Sequence, residues 1–395
     1  MADPSATQHP ARRGTAQRRE PRRPGIPLGS VFGVPVFLHL SVLLLALFVT
    51  FGYGQIVRTE LRLSSLAAYA VGLGFVLCLL VSVLLHELGH AITARRFGMK
   101  VRGITLELLG GYTELDGDSP RPSVELLVSL AGPAVSLVIG VLAAGAATVL
   151  PNDTVPGQIA FQVAAANVLV AIFNALPGLP LDGGRALRAA VWAISRDRHL
   201  GTRVAGWVGR VVALATLSIA VLLYANRLLM AFGFVFLLVI AMTLWQGATT
   251  AIRLGRISAR FPLIDVARLA RPVFTVPTGT PLAEAERQAA EAGHGKDGGA
   301  LGVADSSGRL VALVHPEAAQ TVPVERRPWV PVDSVAREVA ALGTIPVGLR
   351  GEEVIKAVQA NPGSEYIVTS GDDVIGVLRL TDLAHLLEPR QRTAR

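Results

Sequence analysis

Apolar residues fill long, nearly uncharged stretches over the first two thirds of the chain. Each stretch is near the ~20 residues a helix needs to cross a bilayer. The predicted spans are Val31 to Phe51, Leu66 to Ala94, Val124 to Leu150, Ile159 to Leu176, Ala205 to Leu223 and Leu228 to Thr249. After the fourth, "NALPGLPLDGG" interrupts the helical pattern with prolines and glycines, and an apolar stretch, Ala186 to Ile194, follows. Irregular backbone at membrane depth is tolerated only where protein or water satisfies it, so this segment is expected to line a cavity. Between spans two and three, "VRGITLELLGGYTELDGDSP" has β-branched and aromatic residues around Gly110 and Gly111, which predicts a short hairpin or edge strand. It reads either as a plain connection or as an edge that pairs with an extended substrate by strand addition.

Past Arg260 the pattern changes to two similar units, each reading strand, helix, strand, tight turn, strand, helix. Ala283 to Ala292 matches Glu352 to Ala360, and the turn Ser306-Ser307-Gly308 matches Gly371-Asp372-Asp373. The expected organisation is a basic arm over 1–26, a six-span body over 27–254, and a tandem α/β pair over 255–395, with units near 263–320 and 328–388. The fold class is thus a polytopic α-helical membrane protein with a C-terminal α/β domain.

Composition agrees: of 395 residues 51% are hydrophobic and 17% charged, too apolar for an ordinary soluble protein of this length. The one cysteine, Cys78, excludes an intrachain disulfide. The net charge of +8 does not point to nucleic acid, because the arginines flank apolar runs with little aromatic interleaving. The first segment, "ARRGTAQRREPRRPG", is too polar to fold alone and reads as a disordered arm; despite its arginine pairs, the following run lacks a cleavage site and is read as a retained span. Arginines before span one, between two and three, between four and five, and after six all fall on one side. Only Arg58, Arg62 and Arg227 fall on the other, which places a multi-pass protein in the cell membrane with both termini cytoplasmic.

Within the second span stands "LLHELGH". His86 and His90 are four apart, so both imidazoles leave one helix face and can meet one ion, with Glu87 placed to take a proton from activated water. Hydrogen-bonded packing is the alternative for such groups, but three ionisable side chains in one apolar run would be desolvated for no gain. Arg95 is eight residues on, ~12 Å along a helix, which sets the cluster toward the cytoplasmic part of the span. Zinc needs a third protein ligand and an open place for water. Asp182, in the broken segment, is the remaining ionisable residue in apolar surroundings; it also reads as an N-cap for the helix beginning near Gly183.

The sequence His86-Glu87-Leu88-Gly89-His90, with Asn174, Pro177, Leu181-Asp182-Gly183, "SLAGPAVSL" and the Gly110-Gly111 strand, resembles the site-2 protease family of intramembrane zinc metalloproteases over most of Pro27 to Thr250. The resemblance implies zinc held by His86, His90 and Asp182, Glu87 as catalytic acid and base, and Asn174 with Gly110 and Gly111 as substrate-binding residues. It further implies a transmembrane protein substrate in membrane lipid, regulated intramembrane proteolysis, and anti-sigma factors or other signalling proteins as targets. The tandem pair resembles cystathionine-β-synthase-type (CBS) modules over Val273 to Leu387, as in the bacterial subgroup with such modules at the C-terminus. That resemblance implies an adenosine nucleotide in the cleft, a cytosolic location and a homo-oligomer formed through the modules. The nucleotide signature is partly met: Asp382 is present, but Arg379 and His315 stand at the hydroxyl positions and Ala318 at the other acid. Two other classes stay open: a membrane transporter or channel regulated by CBS modules, and an inactive relative that binds helices without cutting them.

Overall fold

The structure, a computed structural model, describes residues 25–107, 110–294, 299–371 and 373–388. The basic arm expected over 1–26 lies outside them apart from its last two residues, as does Asp372 of the second predicted turn. The described residues form two compact units: the chain up to Ala193 with Val208–Trp245, and Ile194–Trp207 with the chain from Gln246 onward.

The first unit opens with an antiparallel hairpin, β1 (Ile26–Val31) and β2 (Val34–Leu38), where the sequence pattern predicts the start of a span. The helix α1 (Val42–Glu60) begins only at Val42. The cause is local: Phe32 and Gly33 have φ of 50° and 72°, the backbone of a two-residue hairpin turn. Val34 and Val36, two apart, share the buried face of a strand. An apolar run this short does not reveal whether its period is two or 3.6.

The long helix α2 (Ser65–Arg96) starts at Ser64, whose hydroxyl accepts from the Ala67 N–H. It stops where Gly98 turns left-handed at φ 77°; the Met99 N–H then returns to the Ala94 carbonyl and the Gly98 N–H to that of Arg95. Met99 packs on Ala94, Val124 and Val128, which fixes the direction of the chain leaving the helix. That chain forms β3 (Lys100–Glu107) and β4 (Gly110–Asp116). The sheet order is β1-β2-β3-β4, with β2 and β3 parallel and the other pairs antiparallel, so β4 is an edge. Val34, Ile104 and Leu106 pack against Leu88 and Ala91, seating the sheet on one side of α2.

Four further long helices follow: α3 (Pro122–Val149), α4 (Val155–Ala175), and, after α5 (Asp182–Ser195), α6 (Arg198–Ala225) and α7 (Ala231–Ser258). With α1 and α2 they make, among the described residues, six helices long and apolar enough to cross a membrane. At 14 residues α5, the apolar stretch after the break, is too short to cross. Leu142 is 69% exposed, Leu169 66% and Val211 64%, apolar surface that a bilayer covers and water would not tolerate over such an area.

In the second unit a one-turn helix α8 (Val266–Leu269) leads into β5 (Val273–Pro277), α9 (Leu282–Glu291), β6 (Ala300–Ala304), β7 (Leu310–Val314) and α10 (Pro316–Thr321). After β8 (Ala336–Glu338), the same order recurs as β9 (Gly343–Pro346), α11 (Glu352–Ala360), β10 (Glu365–Ser370), β11 (Asp373–Arg379) and α12 (Leu380–Leu387). In both sheets the first two strands are parallel and the hairpin that follows is antiparallel. Leu282, Val303 and Val332 belong to one core, Ile345, Val354 and Tyr366 to the other, and Ala300, Leu313, Ile367 and Val377 form a cluster shared between them. This repeated strand-helix-strand-strand-helix pair is the tandem CBS fold expected from the sequence.

Candidate metal centre

The one-turn spacing on α2 sets two imidazoles side by side, with His86 Nε2 and His90 Nε2 3.2 Å apart. Asp182 Oδ2 lies 3.1 Å from the first and 3.2 Å from the second. The other ring nitrogens are engaged from α3: Ser136 Oγ stands 2.9 Å from His86 Nδ1, and the Val128 carbonyl 2.7 Å from His90 Nδ1. A carbonyl only accepts, so His90 carries a proton on Nδ1, and its neutral form presents a lone pair at Nε2. The electron-rich groups therefore converge on one point, an arrangement that a cation stabilises. Ligand atoms around tetrahedral zinc, with bonds near 2.0–2.1 Å, stand about 3.3 Å from one another. The observed triangle matches that spacing.

Room for the ion comes from a missing side chain. A Cβ on Gly132 of α3 would stand 2.2 Å from His90 Nε2 and 2.6 Å from His86 Nε2, so the absent side chain leaves the space beside both nitrogens open. On α2, a Cβ on Gly89 would stand 3.0 Å from the Ala131 carbonyl oxygen, so this glycine lets the two backbones approach. His86 and His90 are 5% and 3% exposed, which strengthens any electrostatic bond made between them.

Asp182 is the first residue of α5, and the Gly184 and Arg185 N–H groups bond the Leu181 carbonyl. Leu181 thus holds the capping position, and the Asp182 carboxylate is turned to the imidazoles instead. The break before it folds tightly on itself: a Cβ on Gly183 would stand 2.3 Å from the Ala175 carbonyl oxygen, and one on Gly184 2.2 Å from the Gly178 carbonyl carbon. This close packing delivers a carboxylate from a distant segment to the face of α2.

Glu87 points to the sheet side. Thr113 Oγ1 of β4 donates to Glu87 Oε2 at 2.7 Å and lies 3.1 Å from the Glu87 backbone oxygen. Gly111 shares that face, two residues away; its added Cβ would stand 3.0 Å from Glu87 Cγ. So the carboxylate is held beside the edge strand, and Asp182 rather than Glu87 meets the imidazoles. Gly110 opens β4 with φ 136°. Asn174 is half-buried on the last turn of α4, and no hydrogen bond ties it to the cluster.

Thr113, Ser136, the Val128 carbonyl and Gly132 were not singled out by the spacing of residues in the sequence. The small residues of "SLAGPAVSL" hint at Gly132 and Ser136 alone, as a stripe where helices approach closely.

In the second unit the side chains at the expected nucleotide positions are engaged internally. Arg271 Nε and Nη2 donate to Asp382 Oδ2 and Oδ1 at 2.7 and 2.6 Å, a two-pronged bond. His315 caps α10 by accepting from the Ala318 N–H, and Arg379 stands 3.3 Å from Glu365.

A buried pair of imidazoles with an aspartate against both, on helices long and apolar enough to cross a membrane and with a carboxylate beside it, is the arrangement of a membrane-embedded metallohydrolase. The model of peptidase family M50 matches residues 74–166 and 157–219, the stretch that carries every group named in the triangle and around it. Rip3 of Mycobacterium tuberculosis, whose name designates a zinc metalloprotease, is 31% identical over 378 residues, covering 93% of each chain. A Synechocystis relative with the same designation, sll0528, is 31% identical over 371 residues, 92% of this chain and 95% of that one. Among solved structures, the site-2 protease from Methanocaldococcus jannaschii is 28% identical, covers 58% of this chain and 95% of its own, and gives a TM-score of 0.43. The chain belongs to peptidase family M50, the site-2 protease family of zinc metalloproteases.

Proposed function

We propose that this metalloprotease cuts peptide bonds inside the membrane-spanning segments of other membrane proteins, with His86, His90 and Asp182 as zinc ligands and Glu87 as general base and acid. The observation that carries the reading is the placement of Glu87: beside the imidazole pair on α2, and hydrogen-bonded to the open-edged strand β4. Zinc bound in the triangle supplies Lewis-acid activation of water and of the scissile carbonyl. Ser136 and the Val128 carbonyl hold the imidazoles with Nε2 toward the ion. Glu87 takes the proton of the attacking water on its carboxylate and delivers it to the leaving amine. A helical peptide bond is shielded by its own turn, so the substrate must unwind locally. The free edge of β4, beginning at Gly110 and Gly111, offers the hydrogen bonds that the unwound segment loses. Asn174, on the last turn of α4 where the break begins, is assigned to hold the substrate strand or the oxyanion.

The arginine distribution supports cytoplasmic termini and hence a tandem pair in the cytosol. The internal bonds of Asp382, His315 and Arg379 favour a scaffold or docking role for that pair over nucleotide sensing. Family resemblance supports anti-sigma factors or other previously trimmed signalling proteins as substrates, with release of a cytosolic fragment.

The test compares membranes of cells carrying the native chain with those carrying Glu87→Gln. Short single-span stubs should accumulate only in the variant, as read by mass spectrometry of membrane proteins. If no such species differs between the two, the protease reading fails.

A further inference from the structure

Asp182 sits on a short helix preceded by an irregular segment, whereas the histidines sit on a long regular one. Something must hold α5 in place against α2 to within the tolerance of a zinc bond. A polar tie of the right kind joins the two helices: Arg188, nearly two turns along α5 from Asp182, donates through Nε to Glu125 Oε1 near the start of α3. Glu125 is 0% exposed, and the Arg188 side chain 19%. A carboxylate removed from water in this way needs a partner that stays put. The same helix α3 carries Val128, Gly132 and Ser136, the three positions that set the imidazoles and the space between them.

We infer that the Glu125–Arg188 pair positions the third zinc ligand: it fixes α5 to α3, the helix that already orients His86 and His90, and so sets Asp182 at bonding distance from both. The pair touches neither the ion nor the reacting atoms, and its role is positional. It rests on the assignment of the triangle as the zinc site. Guanidinium geometry matters, because its N–H groups are fixed in one plane whereas the donors of a lysine ammonium rotate freely.

The test uses the full-length protein in detergent, titrated with zinc against a competing chelator, and the visible spectrum of the cobalt-substituted form as a report of coordination. Arg188→Met and Glu125→Gln should each lower zinc affinity roughly tenfold or more, within the range seen when groups supporting metal ligands are removed. Their cobalt spectra should shift away from that of the native chain, as a displaced Asp182 ligand alters the coordination. Arg188→Lys keeps the charge without the directed donor, and should fall between Arg188→Met and the native chain; it also serves if the other variants do not fold. A structural pair with no positional role would lower the thermal midpoint of the metal-free protein and leave affinity and spectrum unchanged, which overturns the inference. If the native chain itself retains no zinc, the assignment of the triangle fails instead, and the two failures are told apart.

Discussion

In the first unit Glu125 is fully buried and its partner, Arg188, comes from another helix; in the second, Glu284 pairs with Arg287 one turn along the same helix, with side chains 39% and 56% exposed. The contrast extends further. Around the triangle each polar group is bonded to an element other than its own: His86 and His90 to α3, Glu87 to β4, Asp182 to α2. In the tandem pair, Lys356–Glu352 and Arg287–Glu291 repeat the local helix spacing and lie open to solvent. A polar bond shielded from water constrains where whole helices stand, whereas a surface pair contributes little beyond its own turn.

Changes that remove a buried ligand should break this contrast most severely. His86→Ala and Asp182→Ala should abolish both activity and bound zinc, measured by elemental analysis of purified protein. Gly132→Ala should act almost as strongly, since its methyl group would occupy the space of the ion; the expected result is a folded helical protein without metal. Glu87→Gln separates binding from chemistry: zinc should remain while turnover falls by about 10²–10⁴-fold. Thr113→Val leaves the carboxylate without its donor, and a loss in kcat of roughly tenfold is expected with zinc content unchanged.

The smallest effect belongs to the exposed pair. Hydrogen bonds from Arg287 and Gln288 lower the Glu284 carboxyl from its ordinary 4.5 to about 2. Because the folded value is the lower one, the stabilisation is present above the ordinary value and is lost as pH falls from there toward the folded value. Solvent screening keeps that contribution slight. NMR titration of Glu284 should show the depressed midpoint in the native chain and its return toward the ordinary value in Arg287→Ala, with no change in zinc content.

Much of the site was legible because the chemistry is periodic or contrasts with its surroundings. Two histidines four apart share a helix face whatever packs against them, and a carboxylate in an otherwise apolar, broken stretch has few other uses. The repeats of the tandem pair were legible for the same reason. Thr113, Ser136 and Gly132 were not, because their roles arise from segments that meet only after folding. A threonine on a strand and a glycine in a helix look ordinary until the neighbour that needs them is known. The opening of the first span was misjudged where a two-residue turn at Phe32 and Gly33 divides an apolar run too short to show its period. Here the turn, rather than the greasiness, decided the element.

The bond from Thr113 to Glu87 has a consequence for selectivity. On the proposed function, a peptide laid along the outer side of β4 leans on the strand that holds the Glu87 carboxylate. Poorly matched peptides would then be held yet turned over slowly, so discrimination would be expressed in kcat more than in KM.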